Sequence, residues 1–132
     1  MMIDELIREF EEYDDWSDRL EHLIELGRDL PEFPSSDRCD SALVHGCQSR
    51  IWMVASTSDG LLRLRADSDA MLVRGLLWIV LQVYSGRRCE DVPSVDIEGI
   101  FRSLGLDRHL SSSRKNGLAG MVRRVRELAV CR

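Results

Sequence analysis

The sequence of 132 residues contains one lysine, three prolines and no long apolar run. Lys115, the single lysine, lies in the polar stretch SSRKN. A lysine that forms a Schiff base needs a desolvated pocket, so we do not expect this chain to hold pyridoxal phosphate itself. No apolar run reaches the roughly 18 residues that a membrane-spanning helix requires. Internal repeats and low-complexity segments are also missing.

Export signals and zinc motifs are not found either. The first ten residues, MMIDELIREF, alternate charged and apolar groups and lack the apolar core of a signal peptide. The cysteines form no C-x-x-C pair and no Cys/His cluster of the zinc-finger type; they are Cys39, Cys47, Cys89 and Cys131. We therefore expect a cytoplasmic protein with no metal site and with free thiols.

Length and composition predict one globular domain covering residues 1–132. Hydrophobic residues make up 44% and charged residues 31% of the chain, which is typical of folded proteins. The net charge of −5 disfavours a nucleic-acid-binding protein. The charge is unevenly spread, because residues 1–40 hold 14 Asp/Glu and four Arg while residues 41–132 hold nine Asp/Glu and 14 Lys/Arg. The acidic half is either a solvated helix surface or a docking surface for a protein partner.

Apolar periodicity predicts a helical hairpin at the N terminus. The first helix has an apolar stripe at helical spacing, formed by Ile3, Leu6, Ile7 and Phe10. Asp14 and Asp15 are N-cap candidates for a second helix, which should end near Leu30–Pro31. Its inner face is predicted to contain Trp16, Leu20, Leu23, Ile24 and Gly27. The following loop spans residues 31–41 and has two prolines and three serines.

The middle of the chain predicts a small antiparallel sheet. The apolar run Ile51–Ala55 indicates one strand, and Ser58-Asp59-Gly60 indicates a tight turn. A second strand follows with one solvated face, because apolar residues alternate with Arg63 and Arg65; they are Leu62, Leu64 and Ala66. Ala42–His45 is expected to add a short third strand.

Three helices are predicted after the sheet. The first, from Asp69 to Tyr84 with Ser68 as N-cap, is apolar nearly all round and should form the central core element. A loop over 85–95 precedes a short helix near Val95–Leu104. The last helix runs from Ser112 to Val130, with an inner stripe of Leu118, Met121, Val122, Val125, Leu128 and Ala129. The predicted fold class is α+β, with a three-stranded antiparallel sheet packed against helices.

The string Val44-His45-Gly46-Cys47-Gln48-Ser49 is the strongest candidate for chemistry. It joins a polar loop to a buried strand, so Cys47 can lie on a loop whose two ends are held by rigid elements. Gly46 permits close approach of the backbone. Gln48 and Ser49 supply hydrogen-bonding groups that can orient a thiolate or a bound sulfur atom. On composition alone, a cysteine here is as well explained as a small buried apolar residue.

The string HGCQSRIW resembles the active loop of the SufE family of sulfur acceptors, in which V-x-G-C-Q-S-x-V/I-W surrounds the functional cysteine. Other segments resemble further family motifs in the same order along nearly the whole chain. These segments are IELGRDLP at residues 24–31, DSDA at 67–70 followed by Val73, Gly75 and Leu76, and the pairs His109-Leu110, Ser113-Arg114 and Gly117-Leu118.

The resemblance implies a compact α+β domain similar to SufE and to the scaffold proteins of iron–sulfur assembly. It also implies an activity without independent turnover. A cysteine desulfurase, which holds the pyridoxal phosphate, forms a persulfide on its own cysteine, and the SufE-like protein accepts that sulfur and speeds the desulfurase. The implied partners are a desulfurase of the SufS or CsdA kind and a scaffold of the SufBCD type. A homodimer is compatible with the family.

Carried onto this sequence, the resemblance makes Cys47 the sulfur acceptor. The residues His45, Gly46, Gln48 and Ser49 are then the supporting loop, and no resident cofactor is expected. A thiolate is the reactive form, and an unperturbed cysteine has a pKa of about 8.5. Arg114 matches the family's Ser-Arg position and is the expected cation beside the sulfur, the alternative being an ion pair with an acidic neighbour. We expect Cys47 to be partly covered by apolar neighbours on a loop able to turn outward.

Three alternatives remain open from the residues. One is an iron–sulfur scaffold on the same fold, which would need several converging thiolates. A second is a module that stimulates the desulfurase without carrying sulfur. A third is a cysteine hydrolase using Cys47 and His45, which would need a base within hydrogen-bond reach and an oxyanion pocket.

Overall fold

The computed structural model describes residues 3–44 and 49–130, which form five α-helices, two β-strands and three 3-10 helices. The α-helices are α1 (Ile3–Glu11), α2 (Trp16–Arg28), α3 (Met71–Tyr84), α4 (Ile97–Ser103) and α5 (Ser112–Leu128). The strands are β1 (Ile51–Ser58) and β2 (Leu61–Ser68), and the 3-10 helices are Ser35–Asp37, Asp40–Ala42 and Cys89–Ser94. The α+β class predicted from the sequence is confirmed.

The N-terminal helical hairpin forms as its periodicity predicts. Leu6 and Phe10 are buried on the inner face of α1. Asp15 is the N-cap of α2, where its carboxylate accepts a hydrogen bond from the Ser17 amide at 3.2 Å. Arg19 links the hairpin to the end of α4, because it donates to the carbonyl oxygens of Tyr13 at 2.7 Å and Leu104 at 3.2 Å.

The two strands pair antiparallel around the predicted tight turn. Ser58 pairs with Leu61 next to the turn, and Ile51 pairs with Ser68 at the far end. Asp59 and Gly60 between them have positive φ angles of 55° and 77°, the geometry of a hairpin turn that matches the twist of the strands. The predicted alternation in β2 is confirmed, since its arginines are exposed and its apolar residues Leu62, Leu64 and Ala66 are buried.

The predicted third strand is wrong for the described residues. Ala42, the first residue of the predicted strand, belongs instead to the 3-10 helix Asp40–Ala42, and Leu43 after it is extended. Leu43 makes a single antiparallel bridge to Trp52, and the Val44 amide donates to the Ile51 carbonyl at 2.8 Å. The remainder of that segment, His45, lies outside the described residues. The sheet described here is therefore two-stranded, with one bridging residue along β1.

The central helix α3 is buried nearly all round, as predicted, but begins two residues later than expected. Ala70 occupies the N-cap position and its side chain cannot cap. Ser68, the predicted cap, is the last residue of β2, where its hydroxyl accepts a hydrogen bond from the Ala70 amide at 3.2 Å. Pairing with Ile51 extends the strand through Ser68 and so delays the helix.

The C-terminal region follows the prediction with small shifts. A 3-10 helix, Cys89–Ser94, lies within the predicted loop. Asp96 caps α4 through a hydrogen bond from the Gly99 amide at 3.0 Å, and Ser111 caps α5. The inner stripe of α5 is correct, with Met121, Val122 and Val125 buried.

Helices α2 and α3 cross at a pair of glycines, Gly27 and Gly75. A Cβ added at Gly27 would lie 2.6 Å from the Gly75 nitrogen, and one added at Gly75 would overlap the carbonyl oxygen of Leu23. Real Cβ atoms do not approach backbone so closely. The two backbones therefore meet at a distance that only glycine allows at both positions.

We expect Gly75→Ala to lower the free energy of unfolding by about 1–3 kcal/mol, because the new methyl group must push α2 away from α3. In a helix with free space the same change would stabilise by about 1 kcal/mol, so the sign itself is informative. Urea denaturation would measure the change, with Glu21→Ala on the exposed side of α2 as the control. A stabilised Gly75→Ala variant would contradict the crossing described above.

Tyr84, at the end of α3, is fully buried, and its hydroxyl has no hydrogen-bond partner among the described residues. Burial raises the pKa of Tyr84 above its usual value near 10, while the positive charges of Arg126 and Arg87 oppose part of that rise. The folded protein therefore favours the neutral hydroxyl. As the pH rises past about 10, the unfolded tyrosine ionises first, so the folded state loses stability.

Replacing Tyr84 with Phe should remove this contribution to the alkaline loss of stability. At neutral pH the variant should be as stable as the wild type or more stable by up to about 1 kcal/mol, because an unpartnered hydroxyl leaves the core. Urea denaturation between about pH 8 and pH 11 would test this, with Tyr13→Phe as the control. An unchanged alkaline loss, or a large loss of stability at neutral pH, would contradict the prediction.

Candidate functional site

The described structure fixes both ends of the segment that contains Cys47. Val44 precedes that segment, and its amide donates to the Ile51 carbonyl at 2.8 Å. Val44 and Ile51 are both buried in the core. The predicted site residues His45, Gly46, Cys47 and Gln48 lie outside the described residues, so the covered, outward-turning position expected for Cys47 stays a prediction. Ser49 and Arg114 are described, and the site is built from them.

The residue Arg50, which follows the segment, is held by hydrogen bonds to residues at the end of β2. The Arg50 amide donates to the Asp69 carboxylate at 3.1 Å, and the Asp69 amide donates to the Arg50 carbonyl at 3.3 Å. The Ser68 hydroxyl donates to that same carbonyl at 2.6 Å. Three hydrogen bonds on the backbone of one residue fix its position, which lies three residues after Cys47.

Next to Ser68 in β2, the buried carboxylate of Asp67 contacts two arginines and the Ser68 amide. The Arg38 guanidinium donates to it at 2.5 Å, and the Ser68 amide donates to its other oxygen at 2.8 Å. The Arg74 Nε lies 3.1 Å from the carboxylate as an ion pair, although its N–H does not point at the oxygen and makes no hydrogen bond. Arg38 also lies 5.8 Å from the ring of Trp52, so one arginine joins the 31–41 loop to both strands.

Arg114 brings a positive charge to the same junction from the start of α5. Its backbone amide is capped by the Ser111 hydroxyl at 3.2 Å, which fixes the first turn of the helix. Its Nη1 donates to the Ser49 hydroxyl at 2.8 Å, across 65 positions of sequence. The structure therefore brings together two residues that the sequence analysis had singled out separately.

The partner of Arg114 is a neutral hydroxyl rather than a carboxylate. Within residues 3–44 and 49–130 no Asp or Glu oxygen lies within ion-pair distance of its guanidinium, which rules out an ion pair there. By contrast, Arg38, Arg65 and Arg74 each face an aspartate. The charge of Arg114 is thus available to an anion near Ser49, two residues beyond Cys47.

The remaining described cysteines and His109 have other contacts or bonds. Cys39 is exposed and free, and its sulfur lies 3.2 Å from the Ser41 hydroxyl. Cys89 is buried and disulfide-bonded, so the expectation of a free thiol is wrong for this residue. The ring of His109 stacks on Trp16 with centroids 4.5 Å apart, which fits a structural role.

Sequence reasoning missed the roles of Arg38 and Asp69. The DSDA segment is part of the sequence pattern, where Asp69 is expected to favour the start of α3 by its charge and not to hold the neighbouring loop. The signal was present in that segment, because two acidic residues flanking Ser68 at the end of a strand are candidates for holding a neighbouring loop. Arg38 gave no such signal, since its contact with Asp67 joins positions 29 residues apart.

Metal sites and membrane-spanning helices are both absent from the described residues. No group of three His, Cys, Asp or Glu side chains suited to a metal ion occurs in the part of the chain that the structure describes. None of the described helices is long and apolar enough to cross a membrane.

The Arg114–Ser49 hydrogen bond should contribute a measurable coupling to folding. In a double-mutant cycle of Ser49→Ala and Arg114→Gln, we expect a coupling of about 0.5–1.5 kcal/mol, because the bond is charge-assisted but only partly buried. Urea denaturation of the four proteins would measure it. Lys115→Ala paired with Ser49→Ala is the control, which should be additive within about 0.5 kcal/mol. A coupling near zero would mean that the bond does not hold the loop in solution.

Comparison with known proteins places this geometry in a family. Residues 4–129 match the model of the SufE family, described as an Fe-S metabolism associated domain. The chain is 42% identical over 131 residues to an uncharacterized SufE-like protein of Rhizobium meliloti, which covers 96% of this chain and 94% of that protein. It is also 42% identical over 134 residues to an uncharacterized SufE-like protein of Rhizobium etli, covering 98% and 90% of the two chains.

A solved structure shares the fold. The solution structure of a hypothetical protein from Thermus thermophilus superposes with a TM-score of 0.75 at 22% identity, covering 96% of this chain and 92% of the other. At this identity the likeness establishes the fold alone. The family model and the two relatives go further, and together they show that the chain belongs to the SufE family of domains associated with iron–sulfur metabolism.

Proposed function

We propose that this protein is a sulfur acceptor in iron–sulfur cluster assembly, with Cys47 as the residue that receives sulfur from a cysteine desulfurase. The single observation that best supports this is the hydrogen bond from Arg114 to Ser49. In this bond a guanidinium that no described carboxylate neutralises contacts Ser49. In the sequence, Ser49 follows Cys47, the cysteine of the family's loop motif, by two positions. Family membership supports the same assignment.

The transfer step is a thiol exchange on a persulfide. The Cys47 thiolate attacks the outer, sulfane sulfur of the donor's persulfide. A new S–S bond forms on Cys47 as the S–S bond of the donor breaks, and the donor's thiolate leaves with the bonding electron pair. Sulfur moves at a constant oxidation level, so no external oxidant or reductant is needed. A scaffold complex of the SufBCD type would then take the sulfur by the same chemistry.

The described residues have identifiable parts in this step. Arg114 favours the sulfur anion of the thiolate, and then of the persulfide, by its positive charge. Ser49 holds that guanidinium in place. Ser68 and Asp69 hold Arg50, so the return end of the loop keeps its position while the cysteine reacts. Pre-organisation of this kind lowers the cost of aligning the two sulfur atoms.

The protein has no independent turnover in this proposal. Pyridoxal phosphate belongs to the desulfurase, which supplies the carbon–sulfur bond cleavage, and the present chain only receives and delivers sulfur. The proposed sulfur transfer takes place in the cytoplasm. Self-association into a homodimer is compatible with the proposal and is not needed for the transfer.

The proposal predicts a mass gain that depends on Cys47. After incubation with a cysteine desulfurase, pyridoxal phosphate and L-cysteine, intact-mass spectrometry under non-reducing conditions should show the gain of about one sulfur atom per chain, reversed by dithiothreitol. Cys47→Ser should gain nothing, whereas Cys39→Ser, which removes an exposed free thiol in the preceding loop, should gain sulfur as the wild type does. Arg114→Gln should gain it more slowly.

Other outcomes would select the alternatives. If the wild type gained no sulfur while desulfurase turnover still rose, the chain would be an activating module and the sulfur-acceptor proposal would be wrong. If anaerobic incubation with iron and sulfide produced visible absorption that required Cys47, the iron–sulfur scaffold function would replace it.

A further inference from the structure

A groove of about 760 Å³ lies between α4 and α5, on the helix that supplies Arg114. Its floor is apolar, with Phe101, Leu110 and Val122 buried and Leu118 half-buried. One rim is an exposed ridge of α5 in which Lys115, Ala119 and Arg123 follow one another at i, i+4 and i+8. The small Ala119 leaves the ridge low at its centre, between the two cations.

The charges on the two rims of the groove differ. On the α5 rim, Lys115, Arg123 and Arg126 are exposed, and none of them pairs with a carboxylate within the described chain. Opposite α5 the charges are mixed. On α4, Glu98 and Arg102 lie one helical turn apart and Asp96 caps the helix, and Asp107 adds a carboxylate after α4. The excess positive charge therefore lies along α5.

This combination fits one kind of occupant. An apolar floor with charged rims binds an amphipathic helix, whose apolar face fills the floor. Acidic residues on the side of that helix facing α5 would pair with the cations there. The cationic rim runs from Lys115 to Arg126, about eleven positions and about 16 Å along the axis, which corresponds to roughly three turns of a helix.

We propose that the groove between α4 and α5 receives a three-turn amphipathic helix of the sulfur-donor protein, with its acidic side against α5. The inference rests on the proposed function and names the docking surface for that transfer. The groove begins at Lys115, the neighbour of Arg114, and Arg114 touches Ser49 beside the Cys47 segment. A donor seated there lies beside the start of α5, which carries Arg114.

The test uses two variants that alter the groove by different means. Lys115→Glu/Arg123→Glu reverses the cationic ridge, and Ala119→Trp fills the low point between the two cations. Binding of a cysteine desulfurase to each full-length protein would be measured by isothermal titration calorimetry at low and at physiological salt. We expect the dissociation constant of each variant for the desulfurase to rise at least about tenfold. The salt dependence of binding should fall only in the charge-reversal variant.

A matched control has the same change in net charge elsewhere on the surface. Arg8→Glu/Arg63→Glu reverses two exposed arginines, one on α1 and one on β2, and should bind as the wild type does. Thermal unfolding of all proteins would show whether each variant is folded. At saturating desulfurase, intact-mass spectrometry would show whether each folded groove variant still gains sulfur on Cys47.

The outcomes separate this inference from the proposed function. Wild-type affinity in both groove variants, with sulfur transfer intact, would overturn the docking site and leave the sulfur-acceptor function standing. If the control variant bound the desulfurase as weakly as the charge-reversal variant, the docking site would also be overturned, because binding would then follow net charge alone. A change of oligomeric state on sedimentation, without a change in desulfurase binding, would overturn it by identifying the occupant as a second copy of this chain. Wild-type protein that gains no sulfur would overturn the proposed function itself.

Discussion

The backbone contact between α2 and α3 at Gly27 and Gly75 sets the position of the other elements. Because α3 touches α2 through glycine on one side, its remaining faces are left to pack on β2 and α5. Its side chains are buried almost completely as a result. A helix surrounded in this way is held by contacts on every side. The strand β2 leads into α3 and the helix α5 packs against it. The described site residues lie at the end of β2, just before β1 and at the start of α5.

Residues at the end of β2 pair with β1 and also hold neighbouring segments through their side chains. The late start of α3 follows from this. Ser68 remains in the strand because it pairs with Ile51, and its hydroxyl then reaches the Arg50 carbonyl. Asp67 turns inward to meet Arg38 and Arg74, while Asp69 meets the Arg50 amide. Three consecutive side chains are used to hold neighbouring segments. As a result α3 has no side-chain N-cap, which costs about 1 kcal/mol of stability. Burial of the apolar side chains of α3 contributes more than this.

Local patterns in the sequence predicted what depends on local physics. The apolar stripe of α1, the cap at Asp15, the turn at Asp59-Gly60 and the alternation in β2 were all correct, because each is set by residues a few positions apart. The third strand failed because Asp40 and Ser41 favour a 3-10 turn over the extended state, and apolar content alone does not reveal this.

Side-chain contacts between residues far apart in the sequence cannot be predicted from periodicity. The contact of Arg38 with Asp67 spans 29 positions and that of Arg114 with Ser49 spans 65, and neither leaves a periodic trace. Arg114 and Ser49 were nevertheless singled out, because the family resemblance marked both. Nothing in the sequence said that they touch. The free thiol expected for Cys89 was also wrong, since its bonding depends on which residues the fold brings near.

The choice of a hydroxyl as the partner of Arg114 has a consequence for charge. A carboxylate at position 49 would hold the guanidinium more strongly but would cancel its field, leaving little for a neighbouring sulfur anion. Serine fixes the geometry while leaving the positive charge intact. By contrast, Arg38, Arg65 and Arg74 each face an aspartate, which offsets their positive charge. Beside Ser49, α5 instead presents a cation held by a neutral group, which suits the thiolate chemistry proposed for Cys47.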